Sequence, residues 1–306
     1  MEQLKWTYLA VLLLLLHQVS SRAQGCSDAG FCSIGGLKQQ ANTDSLREQW
    51  SLLLPVGLGD QAVFVFTPGI QYDRQLSTRW SIQAKLTANY ARGNLGSASG
   101  LGDGFLTGIY TVPSRRRWTS SFTLGVKVPL NNGNLTSNGQ ALPMQYQSSL
   151  GTLDLIAGYS LNSARWQVSA GWQQPLTGAN RNTFLPEIDN RPESMAYPPS
   201  NRFDRRADVL ARAAYTLVNR TKVTLNAGLL GIYHLGQDAY RDAMGRSQRI
   251  AGSEGMTLNA TLAGWWQLSA KTRMGFTAGL PLVVRPVRPD GLTRSIVFAP
   301  EVSWRF

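Results

Sequence analysis

The chain has 306 residues, of which 43% are hydrophobic and only 16% are charged, and its formal net charge is +12. Soluble domains carry about 25% charged residues, so this composition disfavours a soluble helical protein with an ion-paired surface. The one long apolar run is N-terminal, and no later segment approaches the roughly 20 apolar residues that a membrane-spanning helix needs. The basic residues are scattered rather than clustered, so no nucleic-acid partner is expected.

The first 23 residues are predicted to be a signal peptide. Lys5 supplies a positive charge, residues 9–16 are apolar, and Ser21 and Ala23 are small residues at the positions that a signal peptidase requires. The mature chain would therefore be exported and would begin at Gln24.

The two cysteines, Cys26 and Cys32, follow the predicted cleavage point closely. In an oxidising compartment such a pair favours a small disulfide loop. Two alternatives stay open: a lipid anchor on Cys26, and a thiolate pair for redox chemistry or metal binding. The second lacks a nearby histidine to complete a zinc ligand set, so neither a metal nor a cofactor is predicted.

From about residue 48 onward, apolar and polar residues alternate. In 79–90, for example, Trp80, Ile82 and Leu86 share one face, whereas Arg79, Gln83 and Lys85 share the other. A helix would repeat every three or four residues, so this pattern predicts strands with one apolar face. Twelve strands are predicted, at roughly 48–55, 62–72, 79–90, 103–112, 117–130, 149–161, 164–174, 205–218, 222–233, 255–268, 272–284 and 295–306.

The connections between these strands alternate in length. Every second connection is short, as at 162–163 and 219–221, whereas most of the others are long and polar, including 91–102, 131–148, 175–204 and 234–254. Strands of about 11 residues at about 45° tilt cross roughly 25 Å, which matches the apolar band of an outer-membrane barrel. The predicted fold is therefore all-β, a single transmembrane antiparallel β-barrel of about 12 strands in the outer membrane of a Gram-negative bacterium.

The barrel would span 48–306, and its last strand ends with Trp304 and Phe306 on one face. A terminal aromatic residue after alternating apolar residues resembles the recognition signal of the barrel-assembly machinery, which is thus an expected partner together with outer-membrane lipid. Residues 24–47 are rich in Gly, Ser and Gln and have two interpretations: a plug inside the barrel or a periplasmic tail.

Three motifs follow one another along the chain. They are Ser99-Gly100-Leu101-Gly102-Asp103 before a strand ending in Tyr110-Thr111-Val112, Gly125-Val126-Lys127-Val128-Pro129-Leu130 before an Asn/Gly-rich loop, and Leu142-Pro143 with Gln147 before Gly151-Thr152-Leu153-Asp154. Their order resembles that in the FadL-like outer-membrane transporter barrels associated with meta-pathway phenol degradation. The resemblance covers about 62–306 and is most specific at 99–160. It implies passive uptake of small, often apolar molecules and an N-terminal segment inside the barrel, although the Cys26/Cys32 segment departs from the family pattern.

Charged residues on the polar face are predicted to line the lumen. These are Arg79, Lys85, Lys127, Asp154, Arg165, Asp208, Arg212 and Arg273, together with Lys222, Glu301 and Arg305. They have two interpretations. A positive, water-filled lumen would favour anionic or dipolar solutes, whereas pairing of the acidic with the basic residues would merely satisfy buried polar groups.

The favoured hypothesis is a monomeric, non-enzymatic channel for passive uptake of small molecules, including apolar or aromatic ones. The alternative is a non-transporting surface barrel whose long loops bind a partner. A third hypothesis is a barrel enzyme that uses His234, but one loop histidine without an oriented serine is no catalytic constellation, and surface decoration is the simpler interpretation.

Overall fold

A computed structural model describes residues 48–113, 117–291 and 294–306. The predicted signal peptide, the Cys26/Cys32 pair and the 24–47 segment lie outside these residues. The strands are β1 (Glu48–Leu53), β2 (Val56–Gly59), β3 (Phe64–Phe66), β4 (Gly69–Gln75), β5 (Trp80–Gly93), β6 (Gly96–Val112), β7 (Thr119–Pro129), β8 (Thr136–Ser137), β9 (Gln140–Ala141), β10 (Asp154–Asn162), β11 (Trp166–Pro175), β12 (Asp208–Asn219), β13 (Val223–His234), β14 (Ala239–Arg241), β15 (Ser247–Arg249), β16 (Gly255–Gln267), β17 (Thr272–Val283) and β18 (Arg294–Arg305). Short 3-10 turns lie at Asp60–Ala62, Met144–Tyr146, Pro186–Ile188 and Pro192–Ala196, and no helix among the described residues is long and apolar enough to cross a membrane.

Twelve antiparallel strands form a closed barrel, in which β1 pairs with β18. The first barrel strand consists of β1 and β2, and the second of β3 and β4, because Pro55 and Pro68 interrupt them. Proline lacks an N–H, yet hydrogen bonds continue across both interruptions. Thr67 N–H donates to the Pro55 carbonyl over 2.9 Å, and Ala88 N–H donates to the Pro68 carbonyl over 2.9 Å. The hairpins β8/β9 and β14/β15 lie in loops outside the wall.

The outer surface of the barrel is apolar and carries aromatic pairs near the strand ends. Leu86 and Leu124 are 59% and 61% exposed there. Trp80 packs on Tyr110 with ring centroids 5.0 Å apart, and similar pairs join Phe122 to Tyr159 and Trp166 to Tyr215. The inner face is polar. An apolar band with aromatic rings at its edge faces lipid, so the protein is a transmembrane β-barrel of the outer-membrane type.

One end of the barrel carries the short connections from β4 to β5, β6 to β7, β10 to β11, β12 to β13 and β16 to β17. The first described strand begins at this end and the last strand ends there, which is the periplasmic arrangement for an even-stranded barrel. The other, extracellular end carries the long connections 130–153, 176–207 and 235–254 and the connection from β17 to β18, of which 284–291 are described. Two of its connections, 60–63 and 94–95, are short.

The predicted polar loop at 91–102 is wrong, because the structure continues the wall through it. β5 extends to Gly93 and β6 starts at Gly96, so only Asn94 and Leu95 form the turn. In 96–102 the alternation of apolar and polar residues is hard to recognise, because most of these residues are Ser, Ala or Gly. Ala91 and Leu95 are buried against the inward loops, which explains why this hairpin extends so far. Conversely, residues 149–153, predicted as strand, belong to an inward loop, and β10 begins at Asp154.

Replacing Leu86 by arginine would place a charge on the lipid face near mid-strand, and we expect it to cost about 2–4 kcal/mol of folding free energy. The matched control is Gln83→Arg on the same strand. Gln83 faces the lumen and donates to Asp73 Oδ1 over 2.6 Å, so an arginine there would meet a carboxylate. Folding into lipid vesicles, followed by urea titration, measures both variants. Equal losses would contradict the assigned faces.

Candidate functional site

The extracellular loops fold into the barrel mouth and fill it. We call the buried side chains of these loops the loop plug: Leu142, Met144, Tyr146, Leu150, Phe184, Tyr197, Phe203 and Ile250. Phe203 packs against Leu210 and Leu230 of the wall, whereas Tyr146 packs in a second cluster with Val65 and Ala91. Apolar packing therefore fastens three separate loops to the barrel wall.

Asparagine and glutamine side chains form hydrogen bonds with the backbone N–H and carbonyl groups of these inward loops. Asn182 is fully buried and donates to the carbonyls of Gly133 (2.8 Å) and Leu142 (3.0 Å). Asn180 accepts from the N–H groups of Asn182 and Phe203, both over 3.0 Å. Buried backbone groups need such partners, so these two asparagines allow irregular chain to lie inside the barrel.

Beside the loop plug lies a buried ionic cluster, which we call the ionic lock: Arg205, Asp208, His234, Asp238, Arg285 and Asp290. Asp208 and His234 are directly opposite each other on β12 and β13. Arg205 pairs with Asp208, and its Nε lies 3.6 Å from Asp290 Oδ2. Arg285 Nη2 lies 2.9 Å from the same Asp290 oxygen. The ionic lock thus joins the loops 176–207, 235–254 and 284–291 to the wall.

The His234 ring lies at the centre of the ionic lock, between two carboxylates. Its Nδ1 is 2.6 Å from Asp208 Oδ1, its Nε2 is 2.8 Å from Asp238 Oδ1, and its side chain is fully buried. Each contact requires one proton between nitrogen and oxygen, so either the imidazolium supplies both or one carboxyl is protonated. The prediction that His234 is an exposed surface residue is therefore wrong, because β13 extends to His234 and its side chain lies inside the barrel.

The two loop carboxyl groups of the ionic lock, Asp238 and Asp290, have pKa values that are shifted in opposite directions. Burial raises the pKa of Asp238, and the hydrogen bond with His234 offsets only part of that effect. Burial would also raise the pKa of Asp290, but the Arg285 and Arg205 guanidinium groups outweigh it and hold that pKa well below its usual range. The two arginines thus favour the charged form of Asp290, whereas burial favours the protonated form of Asp238.

A second buried ion pair lies on the neighbouring strands β7 and β10. Lys127 Nζ is 2.8 Å from Asp154 Oδ2 and donates to Thr152 Oγ1 over 3.1 Å. Gln173 also donates to Asp154. Lys127 and Asp154 are 3% and 0% exposed, so this pair is removed from solvent in the described structure.

Among the described residues, two cavities lie beside the loop plug. The outer one, which we call the funnel, is about 760 Å³ and is lined by Leu58, Asp60, Met195, Tyr197, Pro198, Val287, Arg288 and their neighbours. The inner void is about 50 Å³ and is lined by Lys85, Asn89, Phe105, Gln147, Ser149 and neighbouring residues.

Gln145 is the single residue that lines both cavities. Its Nε2 donates to the Arg288 carbonyl over 3.3 Å, and Arg288 Nη2 lies 2.5 Å from Asp60 Oδ1. Its Oε1 has no hydrogen-bond partner among the described residues. Gly291, at φ +67°, lies so close to this turn that an added Cβ would stand 2.3 Å from the Met144 carbonyl oxygen. Gln145, on a tightly seated turn, is thus the lining residue that the funnel and the void share.

Of the residues predicted to line the lumen, the structure places six inside the barrel: Lys85, Lys127, Asp154, Asp208, Arg212 and Arg273. Glu301 is also inside, 3.9 Å from Arg273 Nη2. Arg79, Arg165 and Lys222 instead lie exposed in or beside periplasmic turns. Arg165 even donates to the Tyr215 hydroxyl on the outer surface, over 2.9 Å. The long side chain of an arginine at a strand end extends towards water or headgroups. The alternation of apolar and polar residues therefore does not predict on which face of the barrel it lies.

Sequence reasoning missed Gln145, Asn180, Asn182, Arg205, Asp238, Arg285 and Asp290, all of which lie in loops. Their only sequence feature is charge or amide character in a segment expected to face solvent. Nothing in strand periodicity distinguishes a loop that folds inward from one that projects outward.

No family model and no curated protein matches the chain. Among solved structures, it is similar to the CymD monoaromatic hydrocarbon channel, at 9% identity over 94% of this chain and 98% of that chain, with a TM-score of 0.47. It is similar to the NanC porin at 10% identity over 83% and 100% of the two chains, with a TM-score of 0.46. The KdgM porin in complex with disordered oligogalacturonate gives 6% identity over 84% and 99%, with a TM-score of 0.43. The likeness is one of general shape.

Proposed function

We propose that the protein is an outer-membrane channel for passive uptake of small molecules, with a path from the funnel past Gln145 into the inner void and the polar lumen. The observation that carries this proposal is that the two cavities share one lining residue. A path blocked by one side chain opens with a local movement, whereas a path blocked by packed apolar core would require the loop plug to unfold.

The lining of the funnel favours solutes with an apolar or aromatic body and one polar group. Leu58, Met195 and Tyr197 provide apolar surface, whereas Asp60 and Arg288 form an ion pair beside Gln145. Binding sites of this composition orient a ligand through a few polar groups within apolar walls. The proposed solute class agrees with the FadL-like resemblance of the sequence, and membership of that family is part of this proposal.

Below the funnel, the lumen offers basic side chains to such a solute. Lys85 lines the inner void, with its Nζ 5.5 Å from the Phe105 ring centroid. Arg212 and Arg273 lie further along the inner face, and their exposed fractions are 7% and 9%. A neutral or anionic polar group would pass these residues without repulsion.

Two other functions have specific observations for or against them. A non-transporting barrel would agree with the extent of the loop plug, so transport itself must be measured. An enzyme that uses His234 would need a free ring nitrogen to take a proton from a serine, and both nitrogens contact carboxylates instead. We further propose a monomeric barrel that is inserted by the barrel-assembly machinery.

Replacing Gln145 by alanine should increase single-channel conductance in planar bilayers severalfold, because it removes the side chain that separates the funnel from the void. Gln174→Ala is the control, since Gln174 lies on β11 away from both cavities and donates to the Pro175 carbonyl. If neither the native protein nor the Gln145 variant conducts ions or small solutes, the channel proposal is wrong and the non-transporting alternative stands.

A further inference from the structure

The periplasmic end of the barrel carries a ring of exposed basic side chains. Each of the five turns at this end holds at least one of them within the described residues, and β4 adds another. We call this set the basic rim: Arg74, Arg79, Arg117, Arg165, Arg220, Lys222 and Lys271. Because the five turns follow one another around the barrel, the positive charge is spread over the whole circumference rather than over one side.

Little acidic charge opposes the basic rim. Within the described part of the chain, the acidic residues near this end are Glu48, Asp73 and Glu301. Arg74 pairs with Glu48 over 3.3 Å, whereas Glu301 is buried inside the barrel. The extracellular loops differ, because their exposed arginines alternate with Asp and Glu, as in the Arg246–Asp242 pair at 2.9 Å. The charge asymmetry therefore belongs to the periplasmic end alone.

The basic rim lies at the level of the lipid headgroups. Arg79, Arg117 and Arg165 each directly precede an outward tryptophan, namely Trp80, Trp118 and Trp166, which are 52%, 41% and 47% exposed. Tryptophan prefers the boundary between acyl chains and headgroups. Side chains one residue nearer to the periplasm then meet the phosphate layer.

The orientation of Arg165 indicates contact with lipid rather than with the lumen. Its Nη1 donates to the Tyr215 hydroxyl over 2.9 Å, and the Tyr215 ring packs on the Trp166 ring at 4.9 Å on the outer wall. The guanidinium group is thus held on the lipid-facing side, with other N–H groups left to bind an anion. Guanidinium forms paired hydrogen bonds to phosphate oxygens, and lysine adds a point charge.

We propose that the basic rim binds the phosphate groups of anionic phospholipids in the periplasmic leaflet of the outer membrane. A partner that contacts every turn must surround the barrel, and at this level the surrounding material is the lipid leaflet. A soluble acidic protein would contact the rim from below or from one side and would have no use for a guanidinium group turned outward onto the lipid face. The attraction is electrostatic and decreases with salt.

The test measures lipid selectivity of the full-length protein by electron paramagnetic resonance in phosphatidylcholine vesicles that contain spin-labelled phosphatidylglycerol or spin-labelled phosphatidylcholine. The rim variant carries Arg79→Gln, Arg165→Gln and Lys222→Gln. The control carries Arg181→Gln, Arg202→Gln and Arg249→Gln, which remove the same charge from exposed extracellular positions. Because both leaflets contain label, the orientation of the protein in the vesicle does not affect the result.

We expect the native protein and the extracellular control to bind labelled phosphatidylglycerol severalfold more strongly than labelled phosphatidylcholine at low salt. The rim variant should lose most of that preference. Equal binding of the two labels by the native protein would overturn the proposal, as would an equal loss of preference in the two variants. A preference that survives in the rim variant would also overturn it, because the selectivity would then come from other residues.

Discussion

Replacement of Asp208 by alanine is expected to cost about 3–5 kcal/mol of the free energy that holds the extracellular loops in the barrel. Asp208 contacts both Arg205 and His234, and all three side chains are almost completely buried. The variant removes one of the two carboxylates that contact each of Arg205 and His234, which keep Asp290 and Asp238 respectively. Buried positive charge that has lost part of its compensation is strongly unfavourable. The loops should therefore open to water much more often while the barrel wall stays folded.

Hydrogen exchange at the buried amides of Asp238 and Ile250 in the 235–254 loop measures this opening, since both N–H groups are hydrogen-bonded inside the loop plug and exchange when the loop opens. The control is Arg246→Ala in the same loop. Arg246 pairs with Asp242 at the surface with 66% of its side chain exposed, so its loss should change stability by less than about 1 kcal/mol. Equal exchange in the Asp208 variant and the native protein would show that the ionic lock does not hold the loops.

Phe203→Ala should cost about 3–5 kcal/mol, because it empties the apolar centre of the loop plug. Phe203 is 1% exposed and packs in one cluster with Met144 from another loop and Leu210 and Leu230 from the wall. The surrounding atoms come from different strands and loops, which limits how far they can move to fill the cavity.

Trypsin cleavage at Arg181 and Arg202 in the folded barrel reports this change, since cleavage follows the population of the open loop. Ile188→Ala is the matched control in the same loop, because Ile188 is 65% exposed and its removal leaves no cavity. We expect cleavage of the Phe203 variant to be at least tenfold faster than that of the control. Similar rates for the two variants would mean that the loop is fixed by other contacts.

Much of the barrel is predictable from the sequence because one physical rule governs every strand. A wall residue faces either lipid or the interior, so Trp80 and Leu86 repeat at a period of two and define the outer face. The rule weakens where the residues on both faces are small or polar, and the pattern at 96–102 therefore predicts a loop where the structure forms part of the wall.

The loop plug and the ionic lock are not predictable by the same reasoning. Arg205, Asp238 and Asp290 are charged loop residues, a description that normally indicates exposure to solvent. They are buried because residues from three distant loops neutralise one another there. Sequence order does not reveal such complementarity, since each residue alone would be too costly to bury. His234 illustrates the point, as its environment depends on two carboxylates, one on the adjacent strand and one in the loop.

We propose that solute passes position 145, and chemical modification of a cysteine placed there tests this path most directly. In the Gln145→Cys protein, a bulky membrane-impermeant thiol reagent should reduce the single-channel current strongly, and removal of the adduct with reductant should restore it. The same reagent should leave the currents of the native protein and of Gln174→Cys unchanged. An unaltered current through fully modified Gln145→Cys protein would show that solute does not pass position 145.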